Sequence, residues 1–223
     1  MKINLFCRLF ILGAFIFSIT QINAQSYPFE EQISRFRQQD SISFPEKGQI
    51  LFVGSSTFTL WHDVADYFPG YPIINRGFGG SAIPDLIHYA DQIIIPYYPK
   101  QVVIYCGEND FAREETLSEK VVLKRFKRLF ELIHSHLPET NIAYVSMKPS
   151  PSRTHLMRKF KRTNTRIKRY LYQKENTAYI DVYSVMLNKD GTPRLEIFLE
   201  DNLHMNAKGY ALWAYTLQPS LLK

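Results

Sequence analysis

An aspartate and a histidine three positions apart lie near the C-terminus, in the run Asp201-Asn202-Leu203-His204. A carboxylate this close along the chain can orient an imidazole and hold it as a general base if the segment turns back on itself. Such a base supports nucleophilic catalysis only together with a nucleophile and with donors that stabilise an oxyanion. By itself the pair has a simpler interpretation, a capping aspartate and a surface histidine before the last helix. The rest of the sequence decides between the two.

Three other segments could supply the missing groups. Gly54–Ser56 can present a serine hydroxyl together with a backbone N–H at a helix start, where the helix dipole favours negative charge. Gly77–Gly80 contains three glycines, which let a ligand approach the main chain closely. Gly107–Asp110 carries Asn109, whose side-chain amide can donate a hydrogen bond. Each segment also has a purely structural explanation, as a helix cap, a tight turn or an Asx turn.

Short apolar runs alternate with amphipathic stretches, which predicts a parallel sheet with helices on both faces, a three-layer α/β/α arrangement. The predicted strands are Ile50–Val53, Pro72–Asn75, Val102–Cys106, Ile142–Ser146 and Tyr179–Val182. The predicted helices are Glu30–Gln39, Leu117–His136, Arg153–Lys174 and Ala207 to about Leu217. The three segments above each follow a predicted strand, and ligands bind at the carboxyl ends of parallel strands. Their joint position favours a functional site over three unrelated turns.

Residues 1–24 are predicted to be a secretory signal peptide, followed by one domain over residues 25–223. Lys2 and Arg8 precede an apolar run from Leu9 to Ile19, and Ala24 is the small residue before a polar one. The run is short for a transmembrane helix, although an uncleaved anchor is the alternative. We therefore expect an exported protein, periplasmic or secreted. Removing the peptide lowers the formal charge from +6 to +4.

Cys106 is the one cysteine left after residues 1–24, so an intrachain disulfide is excluded in the mature chain. It ends the apolar run of the third strand and is predicted to be a buried, inert thiol. The histidines show no ligand-like grouping with Asp or Glu, so neither a metal nor a cofactor is expected.

Taken together, the four segments resemble the sequence blocks of the SGNH/GDSL hydrolase family, the GDSL-like lipases and acylhydrolases. They occur in the family's order and extend from residue 54 to residue 204. The resemblance implies a flavodoxin-like α/β/α fold with a central five-stranded parallel sheet, and ester hydrolysis through an acyl-enzyme. By position it implies Ser56 as nucleophile, His204 as its base and Asp201 as the residue that orients His204. It also implies an oxyanion hole made of the Ser56 and Gly80 backbone N–H groups and the Asn109 side chain.

The first block departs from the family pattern, which usually reads Gly-Asp-Ser. Ser55 takes the aspartate position here, which removes a carboxylate beside the nucleophile and leaves two adjacent serines. Register with the family favours Ser56 as the attacking residue. Ser81, just after the glycine turn, is predicted to cap the following helix. An α/β-hydrolase is disfavoured because no Gly-x-Ser-x-Gly elbow occurs in the sequence.

The sequence leaves the substrate open among acetylated sugars, lysophospholipids and small acyl esters. A non-catalytic carbohydrate- or lipid-binding module on the same fold and an acyltransferase with the same residues are alternative functions. The basic stretch Arg153–Lys174 contains no acid and is predicted to be a solvated helix face, with weak contact to an anionic surface as the alternative. No nucleic-acid partner is expected for an exported protein. Lys148–Ser152 is predicted to shape a loop on the active face.

Overall fold

The computed structural model describes residues 27–223, so the predicted signal peptide lies outside the described residues. Its centre is a five-stranded sheet in the order β2-β1-β3-β4-β5, with every neighbouring pair parallel. The strands are β1 (Ile50–Gly54), β2 (Ile73–Gly77), β3 (Gln101–Tyr105), β4 (Asn141–Val145) and β5 (Thr177–Ile180). This sheet confirms the predicted α/β fold, and each predicted strand is present within two residues of its expected ends.

Helices connect the strands on both faces of the sheet. They are α1 (Glu30–Ile42), α2 (Ser56–Thr59), α3 (Ile83–Ile93), α4 (Glu108–Arg113), α5 (Glu119–His136), α6 (Met157–Leu171), α7 (Val182–Val185) and α8 (Ala207–Leu217). Helix α3, the crossover between β2 and β3, was not predicted from the sequence. Pro84 lies in its first turn, where a missing N–H costs no intrahelical hydrogen bond. None of the helices within residues 27–223 combines the length and apolar character needed to cross a bilayer.

The basic stretch after β4 is not one continuous helix, as the sequence predicted. Residues Pro151–Leu156 form a 3₁₀ segment, in which Arg153 has a non-helical conformation with φ −122°. Helix α6 begins only at Met157 and ends at Leu171. The first basic residue of the stretch is therefore separated from the solvated face of α6 and is free to point elsewhere.

Side chains of successive strand residues enter two separate apolar cores, as expected for a sheet covered on both faces. In β1, Leu51 and Val53 pack beneath α1, α3, α5 and α6, whereas Ile50 and Phe52 pack beneath α8. Cys106 is buried in the first core, as predicted, and desolvation raises the pKa of its thiol well above the usual value. The packing accounts for the continuous apolar runs that identify the strands in the sequence.

The carboxyl ends of the central strands meet at one edge of the sheet. Strand β1 leads into Ser55 and α2, β2 into the turn Phe78–Ser81, and β3 into α4 with Asn109. The parallel register, which pairs Gly54 with both Gly77 and Tyr105, ends the three strands at the same level. The segments identified in the sequence are therefore neighbours in space.

Candidate active site

A glycine at the end of β1 produces the sharp turn that presents Ser56. Gly54 has φ +146°, and a Cβ there would lie 1.9 Å from the backbone oxygen of Tyr105 on β3. Only glycine fits this approach. The Ser55 N–H then donates to the same Tyr105 oxygen at 3.0 Å, and Ser56 becomes the first residue of α2.

Ser56, His204 and Asp201 form a continuous hydrogen-bonded chain. The Ser56 Oγ lies 3.1 Å from His204 Nε2, and His204 Nδ1 lies 2.5 Å from Asp201 Oδ2. With the Nδ1 proton directed at the carboxylate, the Nε2 lone pair faces the serine hydroxyl, the tautomer that a general base requires. The structure thus brings together three residues that are up to 148 positions apart in the chain.

The turn that carries the histidine is fixed by its own aspartate. Asp201 Oδ1 accepts the backbone N–H groups of Leu203 and His204, each at 2.9 Å, while Oδ2 binds the imidazole. Asn202 takes a left-handed conformation with φ +57°, which lets the segment reverse. The spacing of three residues therefore has a clear role, since one carboxylate orders the turn and orients the ring.

The Asp201 carboxylate is held in its charged form. Partial desolvation raises its pKa, but the two backbone N–H donors and the His204 side chain outweigh this and lower the pKa to about 2. The side chain of Asp201 is 47% exposed and that of His204 24% exposed, so substrate can reach this edge of the site. Asp201 therefore carries a negative charge beside the imidazole at any pH above about 3.

Two backbone donors beside Ser56 are free to bind an oxyanion. Within residues 27–223, the N–H groups of Ser56 and Gly80 donate to no protein acceptor. The N–H groups of Ser55, Gly79 and Ser81 all do. Gly80 has φ +79°, a left-handed conformation that favours glycine. Free donors at a helix start and in a glycine turn are what a developing oxyanion needs.

The third expected donor, Asn109, is already engaged. Its Nδ2 donates to Ser55 Oγ at 2.7 Å and to the Ser81 backbone oxygen at 3.0 Å, and the residue is 8% exposed. An amide nitrogen has two hydrogens, so an oxyanion must take or share the one directed at Ser55. A neutral hydroxyl releases this hydrogen more readily than a carboxylate would, because charged acceptors hold a donor about twice as strongly.

The structure separates the two adjacent serines by their partners. His204 contacts Ser56, whereas the hydroxyl of Ser55 is turned to Asn109 and is 6% exposed. Of the two hydroxyls, that of Ser56 is therefore the one that faces the imidazole.

The prediction that Ser81 caps the following helix is wrong. The N-cap position of α3 is Ala82, and the buried Ser81 hydroxyl has no hydrogen-bond partner among the described residues. Two carboxylates bind the first N–H groups instead, since Asp85 accepts from Ala82 at 2.8 Å and Asp110 accepts from Ile83 at 2.9 Å. Carboxylates suit a helix start for the reason that a serine hydroxyl does, with the added benefit of charge.

A buried charged cluster, which sequence reasoning missed, lies behind Asn109. It consists of Glu108, Lys148 and Arg153 with the Tyr105 hydroxyl. Arg153 was assigned to a solvated helix face, but its side chain is only 17% exposed and points into the site. Arg153 lies in the 3₁₀ segment before α6, and the uniform basic composition of the stretch gives no sign of where the helix begins.

A groove of about 400 Å³ lies beside the oxyanion turn. Thr59, one turn after Ser56, and Gly77, at the end of β2, line one side of it. It is joined to the turn through Gln32, whose side-chain oxygen accepts the Gly79 N–H at 2.8 Å. Six of its eight lining residues have polar side chains, namely Gln32, Arg35, Gln39, Thr59, His62 and Asn75, and the other two are Phe36 and Gly77.

A larger cavity of about 580 Å³, lined by residues such as Leu137 and Leu222, lies elsewhere. It includes Lys100 and Thr140, which directly precede β3 and β4, so it opens at the amino ends of the strands. The cavity is therefore on the opposite edge from Ser56. No group of three or more His, Cys, Asp or Glu within residues 27–223 is arranged to hold a metal ion.

Fold and site together describe an α/β/α protein in which hydrogen bonds join a serine, a histidine and an aspartate, an arrangement that can support nucleophilic catalysis. The sequence profile of the GDSL-like Lipase/Acylhydrolase family matches residues 40–212, most of the chain. The chain therefore belongs to this family and is an ester-cleaving hydrolase. A comparison with curated protein sequences returned no significant match.

Solved structures share the fold at low sequence identity. A GDSL-like lipase from Bacteroides thetaiotaomicron superposes with a TM-score of 0.72 and 18% identity, covering 84% of this chain and 96% of that one. A Bacteroides fragilis protein described as an acylhydrolase gives a TM-score of 0.72 and 23% identity, with 84% and 94% covered. A variant of an acetyl-xylooligosaccharide esterase from Geobacillus gives 0.65 and 16%, with 80% and 96% covered.

Proposed function

We propose that this protein hydrolyses carboxylic esters through an acyl-enzyme on Ser56. His204 Nε2 takes the Ser56 proton as Oγ attacks the ester carbonyl, and the oxyanion is bound by the N–H groups of Ser56 and Gly80 and by Asn109. His204 then protonates the departing alcohol, and a water molecule, activated by the same base, releases the acid. The hydrogen-bonded chain from Asp201 through His204 to Ser56 at the carboxyl edge of the sheet is the observation that carries this proposal.

The test is direct detection of the acyl-enzyme. A fluorophosphonate is expected to add covalently to one residue, and peptide mass mapping should locate it at Ser56. No labelling and no turnover of any ester would instead favour the non-catalytic binding module. Adding simple alcohols or sugars during turnover separates hydrolysis from acyl transfer, because a transferase forms the new ester at the expense of the free acid.

The polar groove beside the oxyanion turn favours substrates with a short acyl group and a polar alcohol, such as acetylated sugars. Its hydrogen-bonding side chains, among them Gln32, Gln39 and His62, suit hydroxyl groups rather than an alkyl chain.

We predict that lengthening the acyl chain brings no gain in kcat/KM. An apolar acyl pocket would add about 0.8 kcal/mol for each buried methylene, or about fourfold in kcat/KM. The measurement is kcat/KM for p-nitrophenyl acetate, butyrate, octanoate and laurate, together with acetate release from acetylated xylo-oligosaccharides. A steep rise from acetate to octanoate would contradict the polar-substrate proposal and favour a lipid ester.

Export remains a proposal that rests on residues 1–24. Lys2 and Arg8 before a short apolar run, with Ala24 at the expected cleavage point, support removal of a signal peptide. Expression of the full chain should give a periplasmic or secreted protein whose N-terminal sequence starts at or near Gln25. An intact N-terminus in the membrane fraction would favour the uncleaved anchor instead.

Weak contact with anionic surfaces is a second proposal, now limited to α6. Arg158, Lys161 and Arg166 are among its exposed basic residues, whereas Arg153 is withdrawn into the site. Binding to phosphatidylglycerol vesicles should weaken strongly between low and physiological salt, as surface electrostatics require. Binding that salt does not change would rule out this contact.

A further inference from the structure

The orientation of the Asn109 amide is fixed from behind by an arginine. Arg153 Nη2 donates to Asn109 Oδ1 at 3.0 Å. Arginine offers donors only, so the amide oxygen must face Arg153 and the Nδ2 group must face the Ser55 and Ser81 oxygens. The Asn109 residue is 8% exposed, so water cannot easily replace the arginine as donor.

Arg153 is in turn held by a buried carboxylate. Glu108 Oε2 lies 3.4 Å from Arg153 Nη1 and 3.3 Å from Lys148 Nζ, and Glu108 Oε1 accepts the Lys148 backbone N–H at 2.8 Å. The Tyr105 hydroxyl also donates to Glu108. The side chains of Glu108 and Lys148 are 8% and 2% exposed, so the cluster is shielded from solvent.

The charges of this cluster are unevenly matched. Desolvation lowers the pKa of Lys148, an effect that the neighbouring Glu108 opposes. Because one carboxylate serves two cations and a guanidinium keeps its charge in proteins, the positive charge of Arg153 is only partly neutralised. The aspartate that the family usually places before the nucleophile is also missing, since Ser55 occupies its position. The guanidinium beside the Asn109 amide oxygen therefore keeps part of its positive charge.

The loop that carries Arg153 also contacts the histidine turn. The Ser152 N–H donates to the Asn202 backbone oxygen at 3.0 Å, between Asp201 and His204. The segment after β4 thus links the amide donor on one side of Ser56 with the base on the other.

We propose that Arg153, supported by Glu108 and Lys148, is a positioning residue of the oxyanion hole. It fixes the Asn109 amide with its nitrogen toward the reacting centre, and its charge strengthens the Nδ2–H donor through the amide. This inference rests on the proposed function of Asn109 in ester hydrolysis. It adds to the family pattern a residue from outside the four sequence blocks.

A double-mutant cycle tests the proposal. Asn109→Ala should lower kcat by about 10²- to 10³-fold, as loss of an oxyanion donor does, and Arg153→Ala should lower it by about 10- to 100-fold. In both variants KM should stay within about threefold, because the interaction is made mainly in the transition state. In the Asn109→Ala background, Arg153→Ala should lower kcat by less than about a further threefold. The effects of two residues that act as a unit are not additive.

Three controls keep the result interpretable. Arg153→Lys, which keeps the charge but loses the planar fork, should fold and give a kcat between those of wild type and Arg153→Ala. The exposed Arg128→Ala on α5 should have the wild-type kcat. Thermal unfolding of each variant separates a fall in kcat from a fall in folded fraction.

Additive losses in the double variant, or a loss confined to KM, would overturn the role of Arg153 and point to direct substrate contact. A wild-type protein with no esterase activity and no fluorophosphonate labelling would instead defeat the proposed function itself. The two failures are therefore distinguishable.

Discussion

Ser56→Ala is expected to reduce kcat for p-nitrophenyl acetate by on the order of 10⁵-fold or more, the usual loss when a serine nucleophile is removed. The alanine side chain cannot form the acyl-enzyme, and His204 Nε2, 3.1 Å from the serine oxygen, loses the proton it would accept. Any residual rate would come from the oxyanion donors acting on direct attack by water. Steady-state hydrolysis and fluorophosphonate labelling of the purified variant measure the effect.

Ser55→Ala is the matched control, since it removes a hydroxyl one position away. It deletes the acceptor of one Asn109 hydrogen bond, an interaction worth about 0.5–1.5 kcal/mol, so kcat should change by no more than about tenfold. Labelling should persist. If the Ser55 variant were inactive and the Ser56 variant active, the assignment of the nucleophile would be reversed.

Asp201→Asn should lower kcat by about 10⁴-fold with little change in KM, because a neutral amide can stabilise the wrong imidazole tautomer. In wild type the carboxylate accepts a hydrogen bond from Nδ1, with 2.5 Å between nitrogen and oxygen, which leaves the Nε2 lone pair free to act on Ser56. The measurement is kcat and KM across pH 4–9 for wild type and variant. A variant that kept more than about a tenth of the wild-type kcat would show that His204 is oriented by other groups.

The same carboxylate links folding stability to pH. Its pKa is lowered from 3.8 to about 2 in the folded chain, so the folded state binds this proton less readily than the unfolded state does. The resulting stabilisation is present in full well above pH 3.8 and is lost as pH falls through 3.8 toward 2. Because Asp201 is half exposed, the effect should be small. Between pH 4 and pH 2, the free energy of unfolding should therefore fall slightly more steeply for wild type than for Asp201→Asn.

Most of the sheet was predictable because its strands are apolar on both faces. Such runs stand out wherever a segment is covered by helices on two sides, as β1 and β3 are. Helix α3 was missed because its N-cap residue, Ala82, lacks the polar side chain that usually marks a helix start. The start of α6 was placed too early because the 3₁₀ segment and the helix share one basic composition.

The candidate site was predictable where function depends on local motifs. The Asp201 carboxylate both caps its own turn and binds the imidazole. The spacing of three residues is therefore enough to predict how the aspartate and the histidine are arranged. Gly80 can be recognised in the sequence as a glycine in a turn that follows a strand. The contribution of Arg153 was not predictable, because it depends on a contact with a residue 44 positions away. Nothing in the neighbourhood of Arg153 in the sequence identifies Asn109 as its partner.

By itself the sequence determined the five strands, four of the helices, the chemical groups at the ends of the strands, and the Asp201–His204 pair. These follow from local periodicity and from spacings of a few residues. Only the tertiary structure decided that His204 meets Ser56 and not Ser55, that Ser55 binds Asn109, and that Arg153 turns inward to Glu108 and Asn109. The physical reason is that these contacts join the ends of different strands. The direction of a side chain there depends on packing between elements that are distant in the sequence.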